Sequence, residues 1–84
     1  MASTPKAPLL EAVEHALHGD WPSAHVIVQD HERDEVAAWI HAVVHRMEGD
    51  LANARYWYRR CGRELRENVP TDAELREIRA VLLA

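Results

Sequence analysis

His15-Ala16-Leu17-His18-Gly19-Asp20-Trp21-Pro22-Ser23-Ala24 and, 30 positions later, His45-Arg46-Met47-Glu48-Gly49-Asp50-Leu51-Ala52-Asn53-Ala54 follow one pattern. In each, an apolar-periodic run stops at Gly-Asp and a second run begins. Gly supplies the left-handed residue that closes a helix, Asp caps the free N–H groups of the next one, and the small Ala lets the second helix approach the first. Upstream, Leu10, Ala12 and Val13 fall on Ile40, Ala42 and Val43; downstream, Val28 falls on Tyr58. Self-similarity at such a period marks stacked helical units.

Working outward, residues 1–7 read as a frayed N-terminal tail, and residues 8–84 as one helical domain. Pro8 suits the first turn of a helix carrying Leu9, Leu10, Val13, Ala16 and Leu17. Asp20 opens a second helix with Ala24, Ile27 and Val28, which completes a hairpin over 8–30. A second hairpin spans 34–62. Its first helix, about 34–48, carries the stripe Val36, Ile40, Val43, Val44 and Met47. Its second, about 51–61, is expected to bury Leu51, Ala54, Trp57 or Tyr58, and Cys61 before Gly62 stops it. Residues 63–69 are ambiguous between a helical turn and a linker. Pro70 breaks the chain, Thr71 and Glu74 read as a capping box, and Leu75, Ile78, Val81 and Leu82 define a last helix within 71–84. No strand or hairpin-turn signal is present. The expectation is an all-α fold of two antiparallel helical hairpins, with the C-terminal helix covering one end of the stack.

Gly49, Asp50, Ala54 and Tyr58 resemble the turn and second helix of a tetratricopeptide-type (TPR-like) hairpin, with a repeat of 30 positions against that family's usual period of about 34. The resemblance implies a right-handed stacking of the hairpins. More specifically, Ala38-Trp39-Ile40-His41-Ala42-Val43-Val44-His45-Arg46-Met47-Glu48-Gly49-Asp50, followed by Asn53-Ala54-Arg55-Tyr56-Trp57-Tyr58-Arg59-Arg60, resembles small bacterial helical proteins of unassigned function. That likeness covers roughly residues 21–62. It implies a fold and brings no activity, cofactor or catalytic residue. Cys61 stands where those proteins carry Ala.

The chain has 84 residues, 48% of them hydrophobic and 29% charged, which is a globular composition and too short for a large two-domain enzyme. No apolar run is longer than that from Val36 to Ile40, far below the roughly 20 residues that span a bilayer, so no membrane role is expected. A single cysteine excludes an internal disulfide and suits a cytoplasmic setting. The net charge of −4 disfavours nucleic acid as a partner. The charge is uneven, with residues 7–50 strongly acidic and residues 51–67 carrying five arginines against two glutamates.

Histidine is the unusual component, six in 84 residues. His41 and His45 are four apart, so their imidazoles leave one helix face and can chelate one divalent ion such as zinc. An antiparallel neighbour would bring His25 as third ligand, with Glu48 or His31 completing the set. Equally, the rings can flank the apolar stripe and bond to nearby carbonyls or acids. His15 and His18 sit near a helix C-terminus, where the dipole favours a cation. Cys61 reads as a packed core thiol, or as a nucleophile should a histidine lie beside it.

The string Arg55-Tyr56-Trp57-Tyr58-Arg59-Arg60 is the other candidate. Arg55, Arg59, Arg63 and Arg66 would share a face if the fourth helix extends. Trp21 and Trp39 are expected to be at least partly buried; if Trp39 lies beside the stripe and not within it, it would sit on the surface and mark an interface. Three functions follow in order. The first is a non-enzymatic protein-interaction module using Trp39, Arg55, Tyr56 and Arg59, with a protein partner or a second copy. The second is a divalent-metal-binding protein using His41, His45 and His25, with Glu48. The third is a small hydrolase-like enzyme in the same pocket.

Overall fold

The computed structural model describes residues 4–84, and within them five helices and no strand. They are α1 (Lys6–Leu17), α2 (Trp21–Gln29), α3 (Glu35–Glu48), α4 (Leu51–Arg60) and α5 (Thr71–Leu83). Of the expected tail, residues 1–3 lie outside the described residues, while Lys6 and Ala7 are already helical. The helix opens at Pro5, whose carbonyl accepts from Leu9 N–H at 3.2 Å. Pro8 falls in the first turn, where its missing N–H costs nothing.

Both Gly-Asp turns close as their residue types require. Gly19 and Gly49 take positive φ of 82° and 86°. The Asp that follows donates its N–H to the carbonyl five residues back, Asp20 to His15 and Asp50 to His45, each at 2.9 Å. The Asp side chains then cap the next helix, Asp20 accepting from Ser23 N–H and Asp50 from Asn53 N–H, both at 3.2 Å. Asp34 caps α3 in the same way through Ala37 N–H at 2.9 Å. Added bulk at Gly49 meets open space, so backbone strain alone is felt there. Gly49→Ala is therefore expected to cost about 1–2 kcal/mol in urea unfolding. A smaller loss would mean the turn relaxes out of the left-handed region.

The decisive feature of the packing is the position of α3. It packs against α1, α2, α4 and α5, and every residue from Ala37 to His45 is buried. A helix enclosed on all sides has no solvent face, whatever its stripe. Two expectations fail for that reason. Trp39 does not mark a surface: it is 3% exposed. Nor does the last helix cover one end of the stack. α5 lies against α1 and α3, contributing Leu75, Ile78 and Leu82 to the core.

Smaller corrections follow from which face each helix presents. Leu51 and Val81 are exposed rather than buried. Trp57 and Tyr58 are both buried, not one or the other. α4 ends at Arg60, and residues 61–70 form an irregular connection, so Arg63 and Arg66 are not on a helix face. The expected capping box is absent. α5 has no side-chain cap, and Glu74 is instead buried in the core. No helix of the described residues is long and apolar enough to cross a membrane.

Candidate metal centre

Three imidazoles converge on the seam between α2 and α3. His41 and His45 leave α3 one turn apart, and α2 delivers His25 against both. Ring centroids are 4.8 Å apart for His25–His41, 5.3 Å for His25–His45 and 5.0 Å for His41–His45. Nitrogens held at about 2.0–2.1 Å around one tetrahedral ion place imidazole centres about 5 Å apart. One ring nitrogen from each residue lies within 4.8 Å of the other two. Nitrogens sharing a tetrahedral ion are about 3.4 Å apart.

Each ring is held differently. His41 is 3% exposed and stacks on Trp57, centroids 3.8 Å apart and planes 12° from parallel. Its Nδ1 is buried and has no hydrogen-bond partner. Buried polar atoms are normally paired, so this one stands out. His45 Nδ1 is bonded to the Glu48 carboxylate one turn further on. A carboxylate accepts, so this nitrogen carries the proton and the lone pair sits on Nε2. A carboxylate behind a ligating histidine is the usual outer-shell arrangement of metal sites. His25 is the half-buried member, open to solvent on one side.

Electrostatics disfavours a charge on His41 and His25. Burial, then the neighbouring His25 and His45, push the His41 pKa down to about 3. Burial and His45 also lower that of His25, against a smaller opposing pull from Glu48. Neutral imidazole is the ligating form, so a cation would have no proton to displace from His41 near neutral pH.

Of the other proposed ligands, Glu48 reaches the site only through His45. With Asp50 and His45 it also makes a second, more exposed group of possible ligands. His31 stays in the turn between α2 and α3 and does not join the trio. His18 ends α1, its Nδ1 at 2.8 Å from the Glu14 carbonyl. Cys61, half-buried, donates to the Tyr58 carbonyl at 3.4 Å, and burial raises its pKa. A protonated thiol held this way is not an activated nucleophile.

The aromatic-basic string divides. Arg55, Tyr56 and Arg59 are exposed, with Tyr56 braced by Arg60, which donates to its hydroxyl at 3.0 Å. Arg55, Arg59, Arg63 and Arg66 do line one recess of about 740 Å³ against residues 64–68. Much of its charge is already matched, Arg55 by Glu67 at 3.4 Å and Arg66 by Glu77 at 2.9 Å. Arg63 lies over the Trp39 ring at 3.4 Å and seals it from solvent.

Two residues that sequence reasoning did not nominate prove central. Trp57, read as ordinary core, is the platform for His41. Glu74, read as a cap, accepts from Trp39 Nε1–H at 2.8 Å, Tyr58 Oη–H at 2.7 Å and Arg46 at 2.7 Å. No spacing rule marks either, because each partner lies on another helix. Comparisons of the chain with protein-family models, curated proteins and solved structures find no match.

Proposed function

We propose that this protein binds one divalent transition metal ion, zinc or a neighbour in its series, through His25, His41 and His45. The observation that carries the reading is the convergence of three imidazoles whose most buried member has an unpartnered Nδ1. An all-nitrogen set suits zinc, copper, nickel or cobalt and not the hard cations calcium and magnesium. We read the architecture as two stacked tetratricopeptide-like hairpins. Supporting this are the repeated Gly-Asp turns and the order of packing, α1 on α2, α2 on α3 and α3 on α4. The seam between hairpins is then where the histidines meet.

Calorimetric titration of the metal-free chain with zinc is expected to show one site. His25→Ala, on a half-buried position that leaves the core intact, is expected to weaken it by at least about tenfold. Quenching of Trp57 emission by Ni²⁺ or Cu²⁺ should follow the same curve, since its ring stacks on His41. No heat with zinc, or an unchanged affinity in His25→Ala, overturns the reading.

A second reading is a protein contact through the outer face of α4, at Arg55, Tyr56 and Arg59. Its support is Tyr56, 44% exposed and hydrogen-bonded by Arg60. Exposed aromatics anchor interfaces. For a second copy as partner, light scattering would show the mass rising toward twice that of the chain, and Tyr56→Ala would abolish the rise. A constant mass up to millimolar concentration removes self-association.

A further inference from the structure

We propose that the three-histidine centre is open: the protein fills three coordination positions, and the fourth takes an exchangeable water that small monodentate anions replace. The inference rests on the metal-binding reading and says what that site does with its ion. Three observations carry it.

First, the described residues offer His25, His41 and His45 and no fourth side chain within the same reach of all three. Zinc takes four ligands, and sites built for retention supply all four from the protein, whereas three protein ligands leave a position for solvent. Second, the one nearby carboxylate is engaged elsewhere. Glu48 is bonded to His45 Nδ1, where it orients the ring instead of entering the coordination sphere. Third, access is one-sided. His41 and His45 are buried, and His41 is closed off by Trp57, while His25 is half-exposed. The free position therefore opens beside His25.

Charge sets the kind of ligand. Imidazole ligands bring no negative charge, so the double charge of the ion stays uncompensated, because Glu48 acts on it only across the His45 ring. A cation in that state draws an anion to its remaining position. Buried walls around it favour a small one, such as azide, thiocyanate or a carboxylate.

The test uses the full chain loaded with Co²⁺, whose visible absorption reports its coordination. Azide is expected to change that spectrum saturably, at one equivalent per cobalt, and thiocyanate to compete with it. Glu48→Gln should bind cobalt about tenfold more weakly and still answer to azide. A spectrum that binds cobalt normally and ignores both anions overturns this inference alone, since it shows a filled fourth position. A response seen only in Glu48→Gln overturns it too, because Glu48 would then be the fourth ligand. Failure to bind cobalt at all removes the metal-binding reading, and this inference with it.

Discussion

Glu74→Ala is expected to lower the free energy of unfolding by about 3–5 kcal/mol, the cost of removing one partner from a buried ionic network. The carboxylate is 1% exposed and receives three donors from two other helices: Trp39 and Arg46 from α3, Tyr58 from α4. Arg66 lies 3.7 Å away at the rim. Truncation strands all of them. Arg46 would keep only its bond to the Val69 carbonyl at 2.7 Å, leaving a guanidinium that is mostly buried without its counter-charge. The Tyr58 hydroxyl, whose pKa is raised by burial and then by Glu74, would lose its acceptor. In urea, at roughly 1–1.5 kcal/mol per molar for a chain this short, the midpoint should fall by at least about 2 M. Glu74→Gln keeps the shape and one acceptor oxygen but not the charge, and should lose about half as much. A loss below about 1 kcal/mol in the alanine variant would show that water or Arg66 refills the site, and that α5 is held by its apolar face alone.

The second large effect is acid lability of the metal-free protein. His41 titrates at about 3 in the folded chain, and a histidine in an unfolded chain titrates at about 6.5. The unfolded state therefore takes up the proton first. Its contribution to stability is complete above pH 6.5 and is lost as pH falls toward 3, by about 1.4 kcal/mol per pH unit for one proton. Between pH 7 and 5, unfolding measured with a chelator present should become easier by about 2 kcal/mol. His25, lowered in the same direction, adds to this. The groups facing His41 are His25 from α2, His45 on α3 and Trp57 from α4, and none offers a negative charge to hold a proton on it. His41→Phe keeps the stack on Trp57 and removes the titration, so its stability should change less over the same interval. Equal slopes for the two proteins would place the acid sensitivity elsewhere.

The two effects differ in how far they could be read from the chain. The pairing of His41 and His45 is written in their spacing, and the short turn after α2 made His25 their natural third. All three do converge. The role of Glu48 was half legible: three residues from His45 it can reach that ring, but only the fold shows that it stays behind it. Trp39 shows the opposite case. Its offset from the apolar stripe argued for exposure, and that argument holds only for a helix with one partner. With neighbours on every side of α3, the residues flanking the stripe are enclosed as well. Glu74 was misread for a related reason. Thr-x-x-Glu before an apolar run is a sound local signal, yet three donors waiting on α3 and α4 outweigh one N–H at a helix start.

What the amino-acid order determined by itself is of short range: the two Gly-Asp turns and the helices they join, the internal repeat, and the placing of two histidines on one helical face. These depend on backbone conformation and on partners within five residues, which are chemically explicit along the chain. Only the tertiary structure decided which helix became central, what covers it, and which polar groups meet inside. Burial is a property of neighbours that arrive from 16 to 35 positions away, as Tyr58 and Trp39 do at Glu74. A periodic pattern records that a face is apolar, but not how many helices will press against it.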